Sequence, residues 1–292
     1  MPDFGIFRGF NDKLFGNKLY AGQLPTQLGT IGSVSLYDAD AQAFFDRVTT
    51  AGGTLSTLEK GAVNQLVLDM KSYSIWSKMK TIYPMVGASA AACKQNLKSS
   101  SFTGSFSTGW TFASTGVTPN GSSAYMDSNF SPFVSSIANS FHLSVYSRTN
   151  INVNAYDFAV NNSPGSAYNP EYSIRMQRLD LKMSSVMGDY NNQFIAETVA
   201  NSLGFGIGTR TASNSMKLYK NGTALNSNTN TSSTTYPNFK IYLGATNFGG
   251  AASGYSSREY AFASIGDGLS DTEAGNFYTS VQAFQTTLSR QV

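Results

Sequence analysis

Few residues of this chain could carry acid–base, nucleophilic or metal chemistry. Its 292 residues include one histidine, His142, and one cysteine, Cys93. A Ser-His-Asp triad would have to use His142, but this residue lies inside a predicted strand and no nucleophile-elbow sequence is recognisable. The strand pattern instead predicts that the His142 side chain faces solvent.

Carboxylates are dispersed along the chain. Glycosidases need two carboxyl groups that flank the scissile bond. The glutamates show no such pairing: Glu59, Glu171, Glu197, Glu259 and Glu273. We therefore predict that the protein is not an enzyme, and an enzyme attacking surface polysaccharide is the least favoured function.

Metal and phosphate sites are equally poorly supported. One His and one Cys are too few for a zinc site. The glycines of residues 204–208 lack the helix and the Lys of a phosphate loop. No cofactor is predicted, but structural calcium is left open because scattered oxygen ligands could meet in space without an EF-hand spacing. These ligands would be Asp127, Asp157, Asp189, Asn191 and Asn192.

Residues suited to sugar contacts occur in Asn- and Tyr-rich loops after Ser163, Pro164 and Gly165. Aromatic faces stack on sugar rings, and Asn amides both donate to and accept from hydroxyl groups. The alternative is that they are ordinary loop residues or a subunit contact. The candidate ligand contacts are Tyr168, Tyr172, Tyr190, Asn191 and Asn192.

The composition is typical of a β-rich protein that works outside cells. Charged residues make up 13% of the chain, and aromatic residues another 13%. The surface must therefore be built largely from Ser, Thr, Asn and Gly. The net charge of +3 is too small, and the basic residues are too scattered, to indicate nucleic-acid binding.

Export and membrane signals are not apparent in the sequence. Cys93 alone cannot form an intrachain disulfide. The N-terminal segment has an early acid, Asp3, and no long apolar run, so it does not read as a secretory signal. No stretch approaches the roughly twenty apolar residues that span a bilayer. A surface of exterior type without an export signal is explained most economically by a virion protein released by lysis. We therefore expect synthesis in a host cytoplasm and location in a virion.

Residues 1–37 form the first predicted segment, an N-terminal docking arm. Aromatic side chains recur there among glycines that weaken any helix. One interpretation is docking on a partner protein, and the other is a strand or loop packed on its own domain. The candidate docking residues are Phe4, Phe7, Phe10, Leu14 and Phe15.

Residues 38–93 are predicted to form a small helical module packed on the main domain. Ser56 and Glu59 have the spacing of a capping box, which marks the start of one helix. The apolar spacing of residues 75–83 predicts a further helical turn, which Pro84 would end.

From about residue 94 the apolar period changes to two, which predicts strands. Residues 110–114 and 124–127 are expected to form a hairpin around a turn at residues 119–121. Residues 141–148 alternate, with apolar side chains on one face and polar ones on the other. Further strands are predicted over residues 155–160, 172–179, 181–186 and 203–209.

Two short signals frame the end of this region. Asn221 and Gly222 supply the positive φ angles of a type I′ hairpin turn. Ser270 and Glu273 repeat the capping-box spacing and predict a C-terminal helix. The predicted fold is therefore mainly β: an antiparallel β-sandwich of the jelly-roll type over residues 94–292, closed by a helix.

Four segments in order resemble the laminin G-like branch of the concanavalin A-like superfamily. Residues 109–127 resemble its opening hairpin, and residues 141–148 its long inner strand. Residues 217–222 resemble its Leu-Tyr-x-Asn-Gly hairpin, and residues 268–274 its closing Leu-Ser-x-x-Glu helix. The resemblance implies a jelly roll that binds surfaces or glycans. The Glu-x-Asp-x-(x)-Glu motif of the superfamily's hydrolases is missing from the sequence.

The whole chain is also similar to virion proteins of tailed and other phages, including tail, head-fibre and capsid-appendage components. This resemblance implies a structural virion subunit, such as an appendage, spike, fibre or decoration protein, that docks on other virion proteins through residues 1–37. It leaves open a homo-oligomer such as a trimer. The alternative function is a host-glycan receptor-binding lectin built on the same jelly roll.

Overall fold

The computed structural model describes residues 36–133, 135, 139–162, 170–232 and 236–292. The chain divides into residues 1–36 and a compact unit, Tyr37–Val292, to which the following description applies. The predicted docking residues Phe4, Phe7, Phe10, Leu14 and Phe15 lie outside the described residues, as does Tyr168. The docking role of the arm therefore stays a prediction.

The helices are α1 (Ala39–Thr50), α2 (Thr57–Ser72), α3 (Ala90–Cys93), α4 (Tyr190–Gln193) and α5 (Asp271–Thr287), with a turn of 3-10 helix at Trp76–Lys78. The first nine strands are β1 (Met79–Tyr83), β2 (Ser105–Phe106), β3 (Trp110–Ala113), β4 (Gly116–Pro119), β5 (Met126–Asp127), β6 (Phe141–Ser147), β7 (Phe158–Asn161), β8 (Pro170–Arg175) and β9 (Lys182–Asp189). The others are β10 (Phe194–Thr198), β11 (Gly204–Ala212), β12 (Ser215–Lys220), β13 (Thr223–Asn228), β14 (Tyr242–Leu243), β15 (Thr246–Phe248), β16 (Ala251–Ser253) and β17 (Tyr260–Gly266).

The strands form two sheets, which confirms the predicted β-sandwich. An eight-stranded sheet has the order β13-β12-β11-β6-β17-β4-β3, and β1 also pairs with β17. A nine-stranded sheet has the order β10-β9-β8-β7-β14-β5-β2, with β15 on β7 and β16 on β15. The strand pairs are antiparallel except β15 with β7, which is parallel.

Two hydrophobic cores hold the layers together. One lies between the sheets and contains Phe141, Leu143 and Val145 from β6. The other lies between the eight-stranded sheet and the helices, and includes Phe277 of α5. Both faces of β6 are therefore buried. The expectation that His142 faces solvent is wrong, because α5 covers that face and leaves His142 with no exposed surface.

Both predicted capping boxes are confirmed. The Ser56 hydroxyl accepts the Glu59 N–H, and the Glu59 carboxylate accepts the Ser56 N–H, so the capping box of α2 is complete. Ser270 and Glu273 form the same reciprocal pair at the start of α5. These caps satisfy backbone donors that the first helical turn leaves without partners.

The prediction of a helical turn over residues 75–83 is correct for Trp76–Lys78 and wrong for Met79–Tyr83, which is strand β1. Strand β1 pairs with β17, nearly two hundred residues later, so a long-range ladder overrides the local apolar spacing. The boundary predicted at residue 93, between a helical module and the sandwich, stays a prediction. In the structure the helices and both sheets belong to one compact unit.

The early hairpin differs from its prediction in pairing. Strand β3 pairs with β4, while β5 belongs to the other sheet and pairs with β2 and β14. Asn120 explains the change, because its Oδ1 accepts the N–H groups of Ser122, Ser123 and Ala124. This Asn-centred turn satisfies the backbone without a ladder and carries the chain across to the second sheet.

The later hairpin is confirmed. Asn221 and Gly222 have φ angles of 48° and 76°, and they join β12 to β13. Such positive φ values at both central residues define the type I′ turn, whose twist suits a hairpin.

A buried ion pair joins the two sheets. Arg258 donates from Nη1 to both carboxylate oxygens of Asp157 at 3.0 and 3.1 Å, and neither side chain is exposed. The Tyr260 hydroxyl donates to the same carboxylate at 2.6 Å. Asp157 directly precedes β7, and Tyr260 begins β17, so the network fixes one sheet against the other. No helix of the described residues is long and apolar enough to cross a membrane.

Candidate functional site

Among the described residues, no long helix packs on one face of the nine-stranded sheet. Helices α1, α2 and α5 pack against the eight-stranded sheet and the loops around it, where they form one hydrophobic core. Inward-pointing residues of the nine-stranded sheet, such as Tyr172, Ile174 and Leu243, belong to the core between the sheets. Because side chains alternate along a strand, their neighbours point the other way. We call this second surface the outer face.

A single cross-strand row runs over the outer face. Tyr242 lies opposite Ala159, Ala159 opposite Ser173, Ser173 opposite Val186, and Val186 opposite Phe194. Directly opposite residues share one side of a sheet. The row therefore has buried side chains in its centre, where Ala159, Ser173 and Val186 are at most 2% exposed, and a partly exposed aromatic ring at each end.

The first aromatic end is a stacked pair. Tyr125 and Tyr242 have ring centroids 4.4 Å apart and an interplanar angle of 20°. Both are partly exposed. Burial, reinforced by the nearby negative charge of Asp127, raises the pKa of Tyr242 to about 12. Tyr242 therefore presents a neutral, half-accessible aromatic surface at any physiological pH.

The second aromatic end lies beside the short helix α4. The Tyr190 and Phe194 rings are 5.4 Å apart, and the Arg178 guanidinium lies 5.5 Å from the Phe194 ring centre. Tyr190 is 36% exposed. Aromatic rings held by neighbouring rings and a guanidinium are positioned before any ligand arrives, which lowers the entropy lost on binding.

Between these ends lies a buried carboxylate, Glu171, which is 2% exposed. The Ser173 hydroxyl donates to it at 2.5 Å, and the Asn161 amide nitrogen lies 3.4 Å away. Within the described residues it has no salt bridge. Burial raises the pKa of Glu171, although Ser173, Arg175 and Asn161 act in the opposite direction. Burial disfavours the charged form of this carboxyl group, and carboxyl groups perturbed in this way are common at functional sites.

Tyr156 and Arg175 complete the surroundings of Glu171. The Arg175 guanidinium carbon is 3.4 Å from the Tyr156 ring centre. Burial and then the negative charge of Glu171 raise the pKa of Tyr156, which is also influenced by Arg175 and Tyr190. These groups therefore lie within electrostatic reach of one another. We call Tyr156, Asn161, Glu171, Ser173 and Arg175 the Glu171 cluster.

One predicted ligand contact is wrong. Tyr172 has no exposed surface, and its ring packs edge-on against Phe141, 4.6 Å between centres, in the core between the sheets. The reason is strand alternation: Glu171 and Ser173 point to the outer face, so Tyr172 between them points inward.

The other predicted contacts lie at the edge of the outer face. Tyr190 and Asn191 are exposed, and Asn192 is partly exposed. The Asp189 carboxylate accepts from the Asn191 backbone N–H at 3.1 Å and from the Asn192 amide at 2.8 Å. The asparagines therefore shape the start of α4, and a ligand role for these three residues stays a prediction.

The sequence reasoning missed the centre of the cluster. Glu171 was treated only as an isolated glutamate, and Tyr156, Asn161 and Arg175 were not singled out. A usable signal was present in the alternation of Glu171, Ser173 and Arg175 along β8. The three polar side chains at every second position mark the face that points away from the core.

The residues considered for calcium have other partners. Asp157 is enclosed by Arg258 and Tyr260, and Asp189 caps α4. Asp127 accepts from the Asn129 backbone and lies 3.5 Å from Lys240. Among the residues that the structure describes, no three His, Cys, Asp or Glu side chains form a group that could hold a metal ion.

His142 is a buried structural group on the opposite side of the sandwich. Its Nδ1 is 2.7 Å from the Asp267 carbonyl oxygen, so Nδ1 is the donor and Nε2 the acceptor. The Ser264 hydroxyl donates to Nε2 at 3.0 Å, and Ser144 lies 2.6 Å from Ser264. Burial lowers the pKa of His142 to about 4. The relay resembles half of a triad, but substrate has no access to it.

No protein-family model matches the sequence, and no curated protein matches it. Solved structures with a similar chain path include domain 4 of AbnA, a GH43 extracellular arabinanase from Geobacillus stearothermophilus, in complex with arabinotriose. That match has 12% identity, covers 68% of this chain and 98% of that one, and has a TM-score of 0.47.

Two sialidase structures are also similar in part. The Ruminococcus gnavus IT-sialidase CBM40 bound to alpha2,6 sialyllactose has 13% identity, with 50% of this chain and 86% of that chain covered and a TM-score of 0.40. The NanB sialidase from Streptococcus pneumoniae has 16% identity over 47% of this chain, with a TM-score of 0.36. The chain spans 23% of the length of NanB. With such scores, these similarities say nothing about the ligand of this chain.

Proposed function

We propose that the protein is a lectin-like module that binds a glycan on the outer face of its nine-stranded sheet. The observation that carries the proposal is the two accessible pairs of aromatic rings, Tyr125 with Tyr242 and Tyr190 with Phe194, which flank the buried hydrogen-bonding groups of the Glu171 cluster. Sugar recognition needs these components: rings for the apolar face of a sugar, and fixed acceptors and donors for its hydroxyl groups.

We further propose recognition without hydrolysis. A glycosidase places a second carboxyl group about 5 to 9 Å from the first. The hydrogen-bonding partners of Glu171 within the described residues are Ser173 and Asn161, and no second carboxylate belongs to this network. The nearest acid in the strand register, Asp189 opposite Pro170, is engaged at the start of α4.

Removing the accessible rings should weaken binding without unfolding the protein. We expect Tyr242→Ala and Tyr190→Ala each to lower affinity for the glycan by roughly threefold to tenfold, because each loses one stacking surface. A glycan array followed by calorimetry on the best hit measures the effect. Tyr73→Ala, at the C-terminal end of α2, is a matched control with 40% exposure and should bind normally.

The melting temperature should stay within a few degrees in all three variants, since each ring is partly solvent-exposed. An array that stays blank for the intact chain at high concentration would reject the glycan-binding proposal. Normal glycan binding by both Tyr242→Ala and Tyr190→Ala would show that the glycan binds to another part of the protein.

A second proposal concerns location: the sandwich faces outward on a virion, as an appendage, spike or fibre subunit, and residues 1–36 join it to other virion proteins. The division of the chain at Leu36 supports this proposal, because residues 1–36 and Tyr37–Val292 are separate units. The sparse charge of the chain, 13% Asp, Glu, Lys and Arg, suits an exterior assembly protein. A homo-oligomer such as a trimer is part of this proposal.

Deleting residues 1–36 should leave a folded domain that no longer joins particles. Tyr37 would still pack edge-on against Phe45, 5.1 Å between ring centres, so the first contact of the compact unit survives. Circular dichroism and sedimentation would report fold and oligomeric state, and complementation of a particle lacking the protein would report incorporation. Incorporation at the normal level would contradict the anchoring role.

A further inference from the structure

We infer that the glycan bound on the outer face is an uncharged sugar, whose hydroxyl groups bind both Asp127 and Lys240 while its ring packs against Tyr242. This inference rests on the proposed glycan-binding function and names the class of sugar. It is carried by an ion pair that lies beside the stacked tyrosines and is open to solvent.

Strand register places a carboxylate directly beside the first aromatic end. Asp127 lies opposite Tyr242 on one side and opposite Ser105 on the other. Their chain neighbours Met126 and Leu243 belong to the core between the sheets, so Asp127 and Tyr242 point to the outer face. Directly opposite side chains have Cβ atoms about 5 Å apart, which is within reach of one sugar ring.

Lys240 brings a cation to the same surface. Ile241, between Lys240 and Tyr242, is buried in the core between the sheets, so its two neighbours point to the outer face. The Lys240 Nζ atom lies 3.5 Å from Asp127 Oδ2 and donates to Asn129 Oδ1 at 2.6 Å. A ring, a carboxylate and an ammonium group therefore share one part of the outer face.

This group of side chains is accessible, unlike the Glu171 cluster. The Asp127 side chain is 19% exposed and the Lys240 side chain 49% exposed. Both rings of the stacked tyrosine pair are partly exposed as well. A sugar that approaches from solvent therefore meets the ring surface and both charged groups without any rearrangement of the sheet.

Both charged groups keep unused hydrogen-bonding positions. Asp127 Oδ1 accepts the Asn129 backbone N–H at 2.7 Å, whereas Oδ2 accepts no hydrogen bond within the part of the chain that the structure describes. Lys240 uses one of its three N–H donors for the Asn129 side chain. A sugar hydroxyl both donates and accepts, so neighbouring hydroxyls of one ring can donate to Oδ2 and accept from Nζ.

The balance of charge at this position favours a neutral sugar. A sugar carboxylate would be attracted by Lys240 but repelled by Asp127, and a sugar ammonium group would meet the reverse. Hydroxyl groups interact with both side chains without repulsion from either. An acidic or an amino sugar therefore gains less here than an uncharged one.

Variants of the ion pair test the inference on the full chain. The probe is a glycan array with neutral, carboxylated, sulfated and amine-bearing members, followed by calorimetry on the strongest neutral hit. Asp127→Asn keeps an oxygen for the Asn129 N–H but turns the open acceptor into a donor, and Lys240→Met keeps the apolar stem without the donors. We expect each variant to lower the affinity by about fivefold to tenfold. Lys80→Met is the matched control, because Lys80 pairs with Asp267 at 3.0 Å on the other sheet, is also partly exposed and should not affect binding.

The wild-type protein provides a second test that needs no variant. Salt screens attraction between charged partners but has little effect on hydrogen bonds to an uncharged sugar, so the affinity for the strongest hit should change by less than about twofold between about 0.05 and 0.5 M sodium chloride. The melting temperatures of Asp127→Asn and Lys240→Met should stay within a few degrees of the wild type, since partly exposed ion pairs contribute little to stability. This measurement separates lost binding from lost folding.

The outcomes separate the inference from the function on which it rests. Strongest binding to acidic or amine-bearing glycans, or normal affinity in both Asp127→Asn and Lys240→Met, would overturn the neutral-sugar inference. Weaker binding by Tyr242→Ala would in either case leave glycan binding on the outer face intact. An affinity that falls steeply with salt would also overturn the inference. Binding to no glycan of the array would reject both the inference and the proposed function.

Discussion

Replacing Arg258 by Met is expected to destabilise the protein by about 3 to 5 kcal/mol, because it leaves the buried Asp157 carboxylate without its cation. The guanidinium also donates to the Ile151 carbonyl at 2.8 Å and to the Gln177 carbonyl. The backbone at Ile151 and at Gln177 loses this hydrogen bond in the variant. Since Asp157 precedes β7, the outer face would lose the support of the strand that carries Asn161.

Urea unfolding followed by fluorescence measures this loss. Arg178→Met is the matched control, because Arg178 and Asp180 form a partly exposed pair at 3.5 Å and such pairs contribute about 1 kcal/mol or less. The double change Arg258→Met with Asp157→Asn should recover part of the stability, since it removes the uncompensated charge. An Arg258→Met protein as stable as the Arg178→Met control would show that the ion pair does not hold the sheets together.

Acid is expected to destabilise the protein by roughly 3 kcal/mol through His142 alone. Burial lowers the pKa of His142 from 6.5 to about 4, so the unfolded chain binds this proton more readily than the folded one. Stability is therefore lost as the pH falls from 6.5 towards 4 and changes no further below that. The groups that face the ring are the Asp267 carbonyl, Lys78 and Glu273.

Chemical denaturation at a series of pH values checks this prediction. The difference in slope between the wild type and His142→Gln from about pH 6.5 to 5 reports the histidine, because carboxylate contributions are common to both proteins. His142→Gln should be less stable at neutral pH but nearly flat across the same window. Glu171 acts in the opposite direction, because its raised pKa means that stability is gained as the pH falls through it. Equal pH dependence in the wild type and His142→Gln between about pH 6.5 and 5 would contradict the assignment of a neutral buried imidazole.

Local patterns identified much of the fold. Both capping boxes and the Asn221–Gly222 turn depend on side chains within a few residues, so their sequence signals were sufficient. The apolar alternation of β6 was also read correctly. The pairing of β1 with β17 was not predictable, because a strand and a short helix share the apolar spacing of residues 75–83, and the partner that decides between them is distant.

The burial of the polar face of β6 was harder to predict than the alternation of its side chains. His142 and Ser144 look like surface residues, yet Ser264 and the Asp267 carbonyl satisfy their hydrogen bonds beneath α5. Periodicity shows that a strand has two kinds of side chain, but not whether a helix will cover the polar side.

The site was missed through a boundary error of two residues. The sequence prediction began a strand at residue 172, whereas β8 begins at Pro170. Glu171 was therefore left outside the strand, and its alternation with Ser173 went unused. Tyr172 was chosen because aromatic loop residues suit sugars, but inside a strand its direction is set by its neighbours.

The central position of β17 has a consequence for the order in which the molecule is made. This strand pairs with β6, β4 and β1, each of which lies more than a hundred residues earlier in the chain. These three strands cannot form their hydrogen bonds to β17 until residues 260–266 have been synthesised. A ribosome must release residues 79–266 before that sheet can form, and such distant pairings fold slowly. During synthesis the inner strands therefore expose unpaired edges, which are sites of aggregation and of chaperone capture.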